Sequence, residues 1–137
     1  MKLEFFLSCI FITFLNYSCV DLGNSIEENI IRDSASYSKD IQPVFDISCA
    51  TSGCHVNGHS TELDLSRGKS YMEIVNVTSI DFAPLKLISP NNPDSSVIYL
   101  KIIGDSSTGS LMPPGGTLKD ANINSIRIWI ENGAQNN

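Results

Sequence analysis

The chain has 137 residues, of which 9 are Lys or Arg and 15 are Asp or Glu, so its formal net charge is -6 at pH 7. This length indicates one small domain plus an N-terminal segment. The acidic balance offers no basic stripe for a phosphate backbone, which excludes nucleic acid as a partner.

The first residues of the chain predict export. An apolar run over residues 5–15 is shorter than the roughly 20 residues that span a bilayer, and it is typical of a signal peptide. The letters LNYSC, which end at Cys19, resemble a bacterial lipobox. We expect residues 1–18 to be a lipoprotein-type signal peptide and Cys19 to carry the lipid, with ordinary cleavage as the alternative. The mature protein would then be anchored to a membrane of the cell envelope, facing the periplasm or the cell surface.

After the signal peptide, the pattern predicts a flexible tether over residues 19–37 and a folded domain over residues 38–137. The tether is rich in Ser, Asn and acidic residues, whereas the domain shows apolar residues at helical spacing. No alternating strand pattern is present, although residues 83–89 could be extended, and the predicted fold class is all-α. Four short helices are expected, over 39–48 with Ser38 as N-cap, 66–76 with Ser66 as N-cap, 96–103 before Gly104, and 119–132 before Gly133.

The segment CATSGCH, from Cys49 to His55, holds the two cysteines that remain after export and lipidation. Two thiols can add to the vinyl groups of a haem, and the adjacent imidazole of His55 can bind the iron. The spacing is two residues longer than the usual C-x-x-C-H, so the loop must be wider. Two alternatives remain open: a Cys49–Cys54 disulfide in an oxidising compartment, and a zinc site of Cys49, Cys54, His55 and His59.

Met112 lies in the segment LMPPGG, on a loop that two prolines stiffen and two glycines allow to reverse. A thioether is a soft, weak ligand that must be held in place, and His/Met is the axial pair of cytochromes c. The alternative is that Met112 is an ordinary core side chain.

The order of the segments SYSKDIQPVFDISCATSGCH, SPNNPDSSVIYLKI, LMPPGG and IRIWIENGAQNN resembles a single-haem c-type cytochrome domain of the planctomycete type. This resemblance implies a cytochrome c-like helical domain around one covalent haem c. Cys49 and Cys54 would carry the thioethers, His55 would be the proximal ligand and Met112 the distal ligand. The first and last helices would cross near Phe45 and Trp129.

The expected function is one-electron transfer with an unidentified redox protein, rather than catalysis, because no hydrolytic or phosphate-binding motif is present. If Met112 did not bind the iron, an open site would allow peroxidase-like or gas-binding chemistry. The alternative function is a haem-free lipoprotein in which a Cys49–Cys54 disulfide staples a binding or scaffolding module.

Overall fold

The computed structural model describes residues 33–57 and 62–137, and every regular element within these ranges is helical. The all-α prediction is confirmed at this level. No helix in this part of the chain has the length and hydrophobicity needed to cross a bilayer. The predicted signal peptide, the predicted lipidation site Cys19 and the candidate ligand His59 lie outside the described residues.

The described helical elements are short, and the last two α-helices match the predicted bounds to within one residue. Gly104, with φ of +73°, ends the helix Val97–Ile103, and Gly133, with φ of +89°, follows the helix Asp120–Glu131. Glycine adopts this left-handed region more readily than any other residue, so both predicted stop signals act as expected. The elements are a π-helical turn Tyr37–Ile41, α1 Gln42–Ser48, α2 Ser70–Ile74, a 3-10 turn Pro93–Ser95, α3 Val97–Ile103, a 3-10 turn Ser106–Thr108 and α4 Asp120–Glu131.

The folded region begins before Ser38, so the predicted N-cap and the end of the predicted tether need correction. Tyr37 is only 5% exposed, and the backbone N–H of Ser36 donates to the Asp40 carboxylate over 2.8 Å. The side-chain oxygen of Asn137 accepts the N–H of Tyr37, and its backbone carbonyl accepts the N–H of Ser38. These partners come from the far end of the sequence, which is why local spacing did not reveal them.

Helix α2 is shorter than the predicted helix over residues 66–76 at both ends. It begins at Ser70, with Lys69 at the N-cap position where Ser66 was predicted, because residues 66–69 form turns. At the other end, the residues after Ile74 pair with another segment. Beyond Ile74 the chain becomes extended, and the Ile74 carbonyl accepts the N–H of Ile88 over 3.0 Å. The N–H of Asn76 donates back to the Ile88 carbonyl over 2.9 Å. The predicted extended stretch around residues 83–89 therefore contributes isolated β-bridges, without forming a strand in the described part of the chain.

The core forms where α4 packs against the π-helical turn and α3. Trp129 is 1% exposed, and its ring lies 5.2 Å from that of Tyr37, centroid to centroid. Phe45, from α1, is also 1% exposed and belongs to the same core. Residues Ile126, Trp129 and Ile130 are buried at helical spacing, so α4 presents one apolar face to the core.

Candidate functional site

A cavity of about 520 Å³ has three of the four predicted haem-binding residues on its wall: Cys49, His55 and Met112. Its volume lies within the roughly 300–1,000 Å³ typical of small-molecule and cofactor sites. Helix α3 forms one wall, and the segments before and after α2 form others. The apolar lining consists of Leu63, Leu65, Met72, Val77, Ile80, Phe82, Leu87, Val97, Ile98 and Ile102.

Two hydrogen bonds, one from the backbone N–H and one to the backbone carbonyl, hold His55 at the cavity. Its N–H donates to the Cys49 carbonyl over 3.1 Å, and its carbonyl accepts the N–H of Leu65 over 2.9 Å. A ring N–H of His55 also donates to the Leu63 carbonyl. Such a bond fixes the tautomer and the orientation of a metal-binding imidazole.

The surroundings of His55 favour its neutral form. Burial lowers the pKa of the imidazole, the hydrogen bond to Leu63 acts in the opposite direction, and the positive charge of Lys101 lowers the pKa further. The resulting pKa lies below the usual value for histidine. A neutral imidazole is the form that binds a metal ion, so the electrostatics agree with the predicted role.

The Asp64 carboxylate stabilises the short segment that contacts His55. One of its oxygens accepts the Lys69 ammonium over 2.7 Å, and the other accepts both the backbone N–H and the hydroxyl of Ser66. The Asp64 N–H in turn donates to the Glu73 carboxylate over 2.7 Å. Because Asp64 lies between the two leucines that bond to His55, this cluster orients the imidazole indirectly.

Replacing Asp64 by Asn is expected to lower the thermal midpoint at neutral pH by several degrees. The Lys69 and Ser66 hydrogen bonds hold the pKa of Asp64 well below its usual range. A carboxyl with a lowered folded-state pKa stabilises the fold above its unfolded pKa of about 4, and the effect fades as the pH falls below that value. The difference from the wild type should therefore narrow between about pH 4 and pH 2. Thermal melts across this range test it, with exposed Asp94→Asn as control; a difference independent of pH would contradict the assignment.

A buried hydrogen-bonded cluster around Gln42 joins α1 to the same segment. The Gln42 amide nitrogen donates to the Leu65 carbonyl over 3.1 Å and to the Asp46 carboxylate over 2.7 Å. Its oxygen accepts the Tyr37 hydroxyl over 3.0 Å and the hydroxyl of Ser70. Every polar group of this side chain therefore has a partner, as a buried amide requires. Sequence spacing offered no signal for this cluster.

The cysteine segment starts where α1 ends. The N–H groups of Cys49 and Ala50 both donate to the Phe45 carbonyl, over 2.9 and 2.7 Å. The Cys54 N–H donates to the Thr51 carbonyl over 2.9 Å, which forms a turn, and Gly53 adopts a φ of +83°. The residue directly before the second cysteine therefore has a backbone conformation that favours glycine.

The two cysteines occupy different surroundings. Both side chains are partly buried, but Cys49 lines the cavity and Cys54 is not among its lining residues. Burial raises the pKa of the Cys49 thiol to about 11, and negative charge on Cys54 acts in the same direction. Cys49 is therefore a neutral thiol at physiological pH. Of the four predicted haem-binding residues, the structure therefore brings Cys49, His55 and Met112 to one cavity. Cys54 is next to His55 in the sequence but does not line this cavity.

Met112 is attached to the end of α3 and faces the cavity. Its N–H donates to the Lys101 carbonyl over 3.0 Å, and the following peptide bond to Pro113 is cis. The N–H of Gly116 donates to the Pro113 carbonyl over 3.3 Å, which forms the predicted reversal. At Gly104, an added Cβ would lie 3.4 Å from the Leu111 side chain, an ordinary contact distance, so the positive φ of this residue rather than lack of space favours glycine here.

Lys101 lines the cavity, although no motif in the sequence marks it. Its ammonium donates to the Thr108 carbonyl over 2.7 Å and lies 4.9 Å from the centre of the Phe82 ring. Phe82 and the exposed Ile80 belong to a segment over residues 77–82 that also lines the cavity. This segment has no recognisable motif, and only the tertiary structure places it beside His55.

The zinc alternative requires its ligands to cluster around one ion. Among residues 33–57 and 62–137, no group of three or more His, Cys, Asp or Glu side chains is arranged to hold a metal ion. Cys49, Cys54 and His55 therefore do not form three corners of a tetrahedral zinc site. A haem needs a different arrangement, in which only the histidine and the methionine bind the metal.

Similarity to known proteins does not identify the site. Comparisons of the chain with protein families, with curated proteins and with solved structures found no match. The assignment of Cys49, Cys54, His55 and Met112 therefore depends on their own chemistry and on the cavity that three of them share.

Proposed function

We propose that this protein is a c-type cytochrome that carries one electron through a haem held by Cys49, Cys54, His55 and Met112. The observation that carries the proposal is the shared cavity. His55 and Met112 are far apart in the sequence, yet both line one mainly apolar cavity together with Cys49. Nitrogen and thioether ligands facing an apolar space are the donor set of a His/Met haem site.

The properties of the cavity fit a haem. Its volume of about 520 Å³ and its aliphatic and aromatic lining suit a large, flat, apolar group with a polar edge. Its histidine is oriented by a backbone carbonyl and is neutral, as a metal ligand must be. When bound, haem iron would supply the one-electron exchange between its ferric and ferrous states.

The residues of the chain would attach, orient and shield this group. Each cysteine thiol would add across a vinyl double bond, forming a carbon–sulfur bond while the thiol hydrogen moves to the other vinyl carbon. His55 and Met112 would be the two side chains that bind the iron, and protein ligands of this kind favour an electron carrier over an enzyme. The apolar wall would limit solvent access and thereby influence the reduction potential.

The position of Cys54 is compatible with attachment at the edge of the cavity. The loop from Cys49 to Cys54 is closed by the bond from the His55 N–H to the Cys49 carbonyl. Gly53 and its exposed neighbours in this loop do not belong to the core, and an added Cβ at Gly53 would have no atom within 4 Å. The wider C-x-x-x-x-C-H loop therefore has room to adjust without disturbing the packed helices.

The cellular setting follows from the sequence-based expectations. Lipidation at Cys19 would tether the domain to a membrane of the cell envelope, outside the cytoplasm. The net charge of -6 suits a redox partner with a basic docking surface, which would give association that weakens as salt concentration rises. The chemistry does not further identify this partner.

Co-expression with a cytochrome c maturation system is expected to yield protein that retains haem after denaturation. A haem-stained denaturing gel, a pyridine haemochrome spectrum and the intact mass should agree on one covalent haem per chain. The matched control is the double variant Cys49→Ser/Cys54→Ser, which should retain none, because it has no thiol for attachment.

Denatured wild-type protein without haem would contradict the proposal. If its intact mass also showed the loss of two hydrogens between Cys49 and Cys54, the disulfide-stapled lipoprotein would replace the cytochrome as the favoured function. Acylation of Cys19 would be read from the same mass measurement.

A further inference from the structure

Lys101 is the only lysine or arginine among the described residues that line the cavity. Its side chain is partly buried. The ammonium lies 4.9 Å from the centre of the Phe82 ring and donates one hydrogen bond, over 2.7 Å, to the Thr108 carbonyl. An ammonium has three N–H donors, so this arrangement orients the group while leaving donors for another acceptor.

No carboxylate neutralises this charge within the described part of the chain. Ion pairs there join Arg67 to Asp46, Lys69 to Asp64 and Arg127 to Glu131, and none includes Lys101. The cavity is also lined by Glu62, Glu73 and Asp81, which form no such pair with it. An anionic group on a bound ligand could therefore accept the remaining N–H donors of this ammonium in a charge-assisted hydrogen bond.

Lys101 also lies beside both predicted axial ligands. Its backbone carbonyl accepts the N–H of Met112 over 3.0 Å, and its charge contributes to the lowered pKa of His55. A ligand that reached His55 and Met112 would therefore lie within the electrostatic range of the Lys101 ammonium.

We infer that Lys101 binds a carboxylate at the edge of the cavity's flat, apolar ligand, and so selects a porphyrin that carries an ionised propionate. This inference rests on the proposed haem-binding function. The Thr108 carbonyl and the Phe82 ring hold the ammonium, while the propionate provides the missing negative charge. Charge-assisted hydrogen bonds of this kind are stronger than neutral ones.

The test uses full-length, haem-loaded protein and compares Lys101→Met with Lys119→Met. Lys119 is exposed and is not among the residues that line the cavity, so its replacement removes the same charge elsewhere. Lys101→Met should shift the ferric/ferrous equilibrium about tenfold toward the ferric form, which corresponds to about 59 mV for one electron. Lys119→Met should leave the potential near that of the wild type.

Infrared spectra of protein with isotopically labelled haem carboxylates separate binding from a long-range charge effect. The labelled carboxylate stretch should move in Lys101→Met and stay in place in Lys119→Met. Lys101→Gln is a second variant, which keeps a donor for the Thr108 carbonyl without the charge, and it should behave like Lys101→Met. A shift in potential with an unmoved carboxylate band would overturn the inference while leaving the cytochrome proposal intact. Absence of haem from the wild type would overturn both.

Discussion

Met112→Ala is expected to lower the reduction potential of the haem-loaded protein by on the order of 0.1 V, within the roughly 0.8 V that axial ligation spans. A thioether favours ferrous iron more than water does, so its loss should favour the ferric state. The thioether-to-iron absorption band should disappear in the same variant. Potentiometric titration followed by visible spectroscopy measures both effects.

Met72→Ala is the matched control for this experiment. Met72 also lines the cavity, but it is 77% exposed and its side chain has no predicted role as a ligand. This variant should keep the absorption band and a potential close to that of the wild type. If Met112→Ala gave an unchanged spectrum and potential, Met112 would be a packing residue, and the distal position would belong to another group or remain open.

Trp129→Ala is expected to reduce the free energy of unfolding by about 3–5 kcal/mol, the usual cost of truncating a buried aromatic residue. Trp129 is 1% exposed, and its ring packs against those of Tyr37 and Tyr71, at centroid distances of 5.2 and 6.5 Å. Its indole N–H donates to the Gln135 carbonyl over 2.8 Å. Small domains have total stabilities of about 5–15 kcal/mol, so this loss would remove a large share of the stability of the fold.

Trp129→Phe separates the packing contribution from the hydrogen bond. Phenylalanine keeps an aromatic ring in the core but cannot donate to Gln135, so the expected cost is smaller, about 1–2 kcal/mol. Urea denaturation followed by circular dichroism measures both variants. Equal stability of Trp129→Ala and the wild type would show that α4 does not anchor the fold as described.

The two predictions probe different parts of the same structure. Met112 lies at the cavity, and its backbone N–H donates to the carbonyl of Lys101 in the last turn of α3. Trp129 belongs to the core, where α4 contacts both α3 and the π-helical turn. Because α3 contributes to both regions, a loss of core packing should also disturb the cavity wall. The haem-binding test therefore needs variants that keep the fold, such as Met72→Ala and Lys119→Met.

Local sequence was sufficient for the last two helices. In α4, apolar residues recur with helical spacing up to Gly133, and in α3 the pattern ends at Gly104. Both glycines adopt positive φ. The end of a helix at such a glycine can be predicted from the sequence, because the conformation depends on the residue itself and its immediate neighbours. The first helix and α2 were predicted less well, because Asn137 and Ile88 supply partners from distant parts of the chain.

The sequence by itself identified the thiols, the imidazole and the thioether of the proposed haem site, because these groups are recognisable by type and spacing. It also determined the helical character of the domain, through the period of its apolar residues. Only the tertiary structure decided that Cys49, His55 and Met112 share one cavity, that Cys54 lies outside its lining and that Lys101 lies beside them. The physical reason is that these placements depend on long-range hydrogen bonds and packing, such as the bond from Leu65 to His55 and the bond from Met112 to Lys101.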